Sequence, residues 1–142
     1  MIKITPYEED VYAGKICPYC KSSTRVTTQV EVYGMSYSGT PVIVCKNYPK
    51  CDSYVGTDKK TNNSLGRLSS KELRILKMQA HKVFDILWIA KHFTRNEIYQ
   101  KLSEELGIPF EYCHIGNFNI QTTMKVIDFA KKEHQLIRNK IY

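Results

Sequence analysis

Apolar side chains recur at helical spacing through the second half of the chain and at strand spacing through part of the first. Leu73, Leu76, Ala80, Val83, Phe84, Leu87 and Trp88 fall on one face of a helix predicted over about 70–91. Lys71, Arg74, Lys77, Lys82 and Lys91 take its other side. Ser69 and Glu72 form a capping-box pattern at its start, where the two side chains would satisfy free N–H groups. Thr94-Arg95-Asn96-Glu97 repeats the pattern ahead of a shorter helix carrying Ile98, Tyr99, Leu102 and Leu106, which Gly107 and Pro109 close. A third helix is predicted from the N-cap Asn119 through Met124, Ile127, Ala130, His134 and Ile137. Lys131, Lys132, Arg138 and Lys140 crowd its last turns, where cations complement the helix dipole. Phe110 to Asn117 reads as irregular.

The first half has a different period. Thr24 to Tyr33 alternates β-branched and polar residues, and Thr40 to Val44 runs straight into Cys45, so two strands joined by a Gly34/Gly39 loop are expected. Ser53-Tyr54-Val55-Gly56 reads as a last short strand. Tyr7-Glu8-Glu9-Asp10-Val11-Tyr12 is either a short turn or an edge strand. Thr57 to Gly66 is turn-rich and reads as a connector.

Four cysteines frame these strands. Cys17 and Cys20 are separated by two residues, Cys45 and Cys51 by five. A two-residue gap lets one tight turn present both sulfurs to a single metal, and zinc takes four thiolates tetrahedrally. One structural Zn2+ on Cys17, Cys20, Cys45 and Cys51 is therefore expected, in a closed shell with no position left for substrate. Two disulfides are the rival reading, suited to a small secreted chain. The segment Met1 to Pro6 lacks a basic stretch followed by an apolar run, so a reducing, cytoplasmic setting is expected. The fold class is then α+β: a four-cysteine zinc ribbon of antiparallel strands over 1–57, a connector over 58–68, and a three-helix unit over 69–142. Tyr48, Pro49 and Tyr54 would either shield the thiolates or form the small core of the ribbon itself.

Composition narrows the function classes only slightly. The chain has 142 residues, 42% of them hydrophobic, enough for a real core, and no apolar run long enough to span a membrane. Its net charge is +7; two of those charges fall on residues 1–60 and five on 61–142. That bias permits nucleic-acid or acidic-protein partners. Cys113-His114 is the other pair with ligand or nucleophile chemistry, as a thiolate–imidazolium pair or as part of a second metal site with His81 or His92. Adjacent residues on extended backbone point to opposite faces, which argues against one joint site. His81 and Asp85 sit at i and i+4, the spacing of a local hydrogen bond. No glycine-rich phosphate loop, nucleophile elbow or paired catalytic carboxylates is present.

Two resemblances add to this reading. The second knuckle, Cys45-Lys46-Asn47-Tyr48-Pro49-Lys50-Cys51, resembles those of the zinc ribbons at the C-terminus of bacterial type IA topoisomerases, which bind single-stranded DNA. The catalytic domain of those enzymes has no counterpart in the chain. More broadly, about 17–130 resembles an uncharacterised zinc-finger-containing family of bacteria and their phages. The residues that carry it include both knuckles, Tyr54-Val55-Gly56, Ala80 to Trp88, Leu106-Gly107-Ile108-Pro109 and Cys113 to Phe118. Where that family has a proline before Leu65-Gly66 this chain has Ser64, and where it often has an aspartate the chain has Asn119. The resemblance implies zinc and the architecture but no activity.

The leading expectation is nucleic-acid binding, mainly to single strands and with little sequence preference. Lys46 and Lys50 project from the second knuckle, Lys21 and Arg25 extend the basic edge, and Tyr19, Tyr48 and Tyr54 offer rings on which unstacked bases can stack. The alternatives are a phage- or mobile-element-type adaptor or inhibitor that binds a host protein, and an enzyme centred on Cys113-His114.

Overall fold

The computed structural model describes residues 1–141. The chain divides into two compact units, Ile4–Glu72 and a second made of Met1–Lys3 with the chain from Leu73 onward.

The first unit is built on a three-stranded antiparallel sheet in the order β1-β2-β3, with β1 at Thr24–Thr27, β2 at Val42–Cys45 and β3 at Tyr54–Gly56. Arg25 pairs with Val44 and Val44 with Tyr54, so those three share a face; Thr24 and Cys45 point to the other. The strand expected to run to Tyr33 stops at Thr27. Thr28 takes an extended N-cap conformation and its hydroxyl accepts from the Glu31 N–H, starting a short helix α2 at Gln29–Tyr33 that Gly34 ends at φ 82°. Tyr7 to Tyr12 is neither turn nor strand. It belongs to helix α1, Pro6–Tyr12, opened by a complete capping box between Thr5 and Glu8 with proline in the first turn.

Residues 58–68 pack onto the ribbon. Thr57 bridges Ser64, Ser69 bridges Tyr54, and Leu68 is fully buried beside Cys17 and Cys45. The loop tip is tied by the Asp58 carboxylate, which accepts from the N–H groups of Lys60 and Thr61. Gly14, at φ +73°, lies against this segment, and a Cβ there would stand 2.9 Å from Ser64 Oγ.

The second unit is helical. Helix α3 spans Lys71–Phe84, and the backbone of Ser69 just before it exchanges hydrogen bonds with Tyr54. The predicted helix over 70–91 is broken at Asp85, after which a four-residue turn α4 covers Ile86–Ile89. The Asp85 carboxylate there accepts from His81 Nδ1 at 3.0 Å and from Trp88 Nε1 at 3.3 Å. Lys91 then leaves the helical region with φ 63°. Helix α5, Arg95–Leu106, has the expected Thr94–Glu97 capping box and the Gly107 stop. Phe110 to Asn117 forms two single turns of 3-10 helix. Helix α6, Ile120–Ile141, begins where Asn119 Oδ1 accepts from the Thr122 N–H at 2.9 Å.

The core of this unit gathers Ala80, Phe84, Leu87, Ile98, Tyr99, Leu102, Ile115, Phe118, Val126 and Phe129. Leu76, Val83, Trp88, Leu106 and Ile127 are half-buried rather than interior. On α6 the buried face is Thr123, Val126, Phe129 and Ala130, which leaves Met124 54% exposed; the stripe expected through Met124 is turned by about one position. Phe84 stands edge-on to Tyr99, with ring centroids 4.9 Å apart. Among the described residues no helix is long and apolar enough to cross a membrane.

Because Phe84 is wholly buried at the centre of that cluster, Phe84→Ala should lower the unfolding free energy by about 3–5 kcal/mol. Urea titration followed by tryptophan fluorescence would measure the shift. A near-native midpoint would mean that the cluster does not hold the unit together.

Candidate metal centre

The two knuckles close by backbone hydrogen bonds. In the first, the Cys17 N–H donates to Ser22 O and the Lys21 N–H to Cys17 O, both at 2.9 Å, with Lys21 at φ 62°. In the second, the Tyr48 N–H donates to Cys45 O at 2.9 Å and the Cys51 N–H to Asn47 O at 3.0 Å. The sheet aligns the two turns: Thr24 lies opposite Cys45, and the Lys46 N–H reaches Ser23 O at 3.1 Å.

The four sulfurs therefore converge, all within 4.8 Å of one another. Cys17 Sγ is 3.7 Å from Cys51 Sγ and Cys20 Sγ is 3.3 Å from Cys45 Sγ. A tetrahedron with metal–sulfur bonds of about 2.3 Å has edges of about 3.8 Å, so the cluster fits one zinc ion. All four cysteines are free thiols, which removes the disulfide reading.

Polar groups two residues after three of the cysteines complete the surroundings. Ser53 Oγ lies 3.2 Å from Cys17 Sγ and 3.7 Å from Cys51 Sγ. The Asn47 N–H points at Cys45 Sγ at 3.5 Å, and Asn47 Nδ2 lies 3.7 Å from Cys20 Sγ and 3.1 Å from Ser22 Oγ. Such donors hold thiolates in place and spread their charge. They were not singled out from the sequence, although the repeated spacing Cys20-x-Ser22, Cys45-x-Asn47 and Cys51-x-Ser53 carries the signal. The side chains packed on the cluster are Leu68, Ile43 and Val55. Tyr48 and Tyr54 pack on each other instead, and Pro49 is exposed. None of the three packs against the sulfur cluster.

Burial pushes the Cys45 thiol up to about 12 and raises that of Cys51, while hydrogen bonding from Ser22 brings exposed Cys20 down to about 6. Gathering these groups without a cation would leave protons on the buried sulfurs. A dication reverses that preference by its own charge, so zinc binding expels protons.

A family model described as a zinc-finger-containing domain matches residues 13–133. The chain belongs to that family. Neither a curated protein nor a solved structure matches it. With the four-cysteine cluster, membership in the zinc-finger-containing family gives the protein one structural Zn2+.

The other residues expected at a site are dispersed in their commitments. The Tyr19 hydroxyl accepts from the Ser70 N–H at 2.9 Å. Lys21 Nζ donates to the Tyr7 hydroxyl at 2.7 Å and to Pro18 O at 3.0 Å. Arg25 is paired with Glu31 at 3.0 Å. Lys46 and Lys50 are exposed on the second knuckle. Tyr48 and Tyr54 stand edge-on at 6.2 Å, and the row continues from Tyr54 to Tyr33 at 5.8 Å and from Tyr33 to Tyr37 at 6.1 Å. Tyr33 and Tyr37 were missed because they fall in a segment read as strand and loop. In the helical unit Cys113 is 1% exposed and its thiol is pushed up to about 12 by burial, while His114 is exposed. A protonated, enclosed thiol whose neighbour faces outward supplies no nucleophilic pair.

Metal analysis should find about one zinc per chain, and Cys51→Ser should lose it together with the cooperative unfolding of residues 4–72. Since the bound form is the thiolate, affinity is present at neutral pH and lost as pH falls, which a chromogenic zinc chelator would follow. Metal retained in Cys51→Ser with an unchanged melting curve would rule the site out.

Proposed function

We propose that the ribbon unit binds single-stranded nucleic acid with little sequence preference, its zinc held by Cys17, Cys20, Cys45 and Cys51. The observation that carries this reading is the second knuckle itself. Exposed Lys46 and Lys50 flank Tyr48, whose ring opens the row through Tyr54 and Tyr33 to Tyr37, the last 73% exposed. Tyrosine faces accept unstacked bases of any identity, and ammonium groups follow the phosphates. The likeness of this knuckle to the single-strand-binding ribbons of topoisomerases supports the same reading. Zinc does not turn over here: it fixes the turn on which the contact residues stand.

Hydrogen bonding refines the contact set. Lys21 and Tyr19 are occupied within the unit, and Glu31 offsets the charge of Arg25. Lys46, Lys50, Tyr37 and Tyr48 form the proposed contact set. Four reduced thiols suit a reducing compartment, which favours the cytoplasm. A second reading, an adaptor that binds a protein, draws on an exposed apolar face of the helical unit.

Fluorescence anisotropy at about 50 mM salt should show tighter binding to a single strand than to blunt duplex, with affinity falling steeply as salt rises. Lys46→Glu with Lys50→Glu should weaken all sequences alike, and Tyr37→Ala should cost about 1–3 kcal/mol on single strands only. Equal affinity for both forms, or none, would end this reading.

A further inference from the structure

Helix α3 and the turn α4 carry two apolar stripes on opposite sides. Leu73, Ala80, Phe84 and Leu87 face the core. On the outside, Ile75 is 50% exposed, Met78 73%, Ile86 46% and Ile89 62%. A surface helix ordinarily needs one apolar stripe, and a second of this size marks a contact face. Ile75, Met78 and Lys82 follow one another at steps of three and four along one face of α3, and Ile86 and Ile89 of α4 continue the seam beyond Asp85. Met78, Lys82, Ile86 and Ile89 line one open groove of about 490 Å3, with Lys77, His81 and Asp85 on its wall.

Lys82 stands at the middle of this seam. It is exposed and its ammonium makes no hydrogen bond or ion pair among the described residues. The rest of α3 adds Lys71, Arg74 and Lys77, the last donating to Gly116 O at 2.7 Å, against Glu72, and Asp85 follows the helix. Asp85 is already engaged by His81 and Trp88. A cation within an apolar seam selects an occupant that brings a carboxylate to it. A second copy is disfavoured by the same geometry, since a two-fold axis through the centre of the stripe would set Lys82 against itself.

We propose that this face docks an acidic amphipathic α-helix of a partner protein, with a carboxylate of that helix paired to Lys82. The occupant presents leucine-like side chains to Ile75, Met78, Ile86 and Ile89, and acidic residues to the basic rim. The inference does not depend on what the ribbon binds.

The test uses the full, zinc-loaded chain and a labelled synthetic peptide of about three heptads, leucine at the seam positions and glutamate beside them. A control peptide has lysine in place of every glutamate. The acidic peptide should bind and the control should not. Lys82→Glu should weaken the acidic peptide at least about tenfold, as loss of a charge pair within an apolar contact does, and should gain affinity for the control. Met78→Asp should weaken both pairings. All these positions are exposed, so zinc content and helicity should stay unchanged and separate lost docking from lost folding. Several results would overturn the proposal: equal binding of both peptides, indifference to Lys82→Glu, or tighter binding to phosphatidylglycerol vesicles than to the peptide. Concentration-dependent dimerisation abolished by Met78→Asp would assign the face to a second copy instead. Oligonucleotide binding should be unaffected by Lys82→Glu, and its loss would mean that the face contacts phosphate.

Discussion

Four sulfurs drawn to within 4.8 Å of one another are the constraint on which the ribbon unit rests. Its strands are three or four residues long, too short to bury much between them. One side of the sheet buries little besides Cys17, Cys45 and Leu68, with Ile43, Cys51 and Val55 partly covered. Zinc–thiolate bonds supply there what aliphatic area cannot, and the closed shell leaves zinc no open position for chemistry. The opposite side is organised by hydrogen bonds and rings. Val42 and Val44 are fully buried on the face shared by Arg25 and Tyr54, and α2 covers it through the Arg25–Glu31 pair and the Tyr33–Tyr54 contact. Buried Gln29 ties the 34–40 loop down, accepting from the N–H groups of Tyr37 and Ser38 and donating to the hydroxyls of Ser38 and Thr40. The ring row is therefore held from beneath, with its outer members left to solvent.

The helical unit is held by side-chain packing. Phe84, Tyr99 and Phe129 form an aromatic centre, and the Arg95 guanidinium lies over both Tyr99 and Trp88, 4.7 and 5.8 Å from the ring centroids. The Glu133 carboxylate, nearly buried, meets Lys101 at 2.8 Å, and His134 Nε2 bonds Val83 O at 2.8 Å. Burial and hydrogen bonding hold α6 against the end of α3 and against α5, and the same burial closes off Cys113.

The metal ligands were legible because their spacing is itself the chemistry. The helices were legible only in part, and the capping signal explains both outcomes. Thr94 and Glu97 flanked a clear apolar period, and α5 followed. Thr5 and Glu8 carry the same signature, but seven residues give no period to confirm it. Thr28 and Glu31 sit inside a β-branched run, where local alternation suggested a strand; hydrogen bonding of Gln29 to the next loop favours the helix instead. Ser69 and Glu72 stand where two units of structure meet along the chain. The backbone of Ser69 pairs with Tyr54, and regular helix begins two residues later at Lys71, so the same short segment serves both the sheet and the start of α3. Asn47, Ser22 and Ser53 lay in plain view at a fixed distance from cysteines, yet their role depends on turns that propensity does not encode.

Charge, read along the chain, concealed a difference of setting that the side-chain pairings expose. A net charge of +7 is modest for a protein dedicated to phosphate. Within the ribbon, Arg25 is offset by Glu31 and Lys21 is turned onto Tyr7, which leaves Lys46 and Lys50 as the cations beside the ring row. The proposed nucleic-acid site, with so few cations for phosphate, would have to draw on stacking for its affinity, and that requirement would favour open bases over duplex. The cations of α3 stand in a different setting, around exposed isoleucine and methionine side chains that phosphate cannot satisfy. There apolar burial would supply the affinity and charge would supply the choice of partner. On the two proposals made above, the same sign of charge would serve two recognition chemistries, and what would separate them is the neighbouring side chain: a tyrosine ring in one unit, an aliphatic stripe in the other.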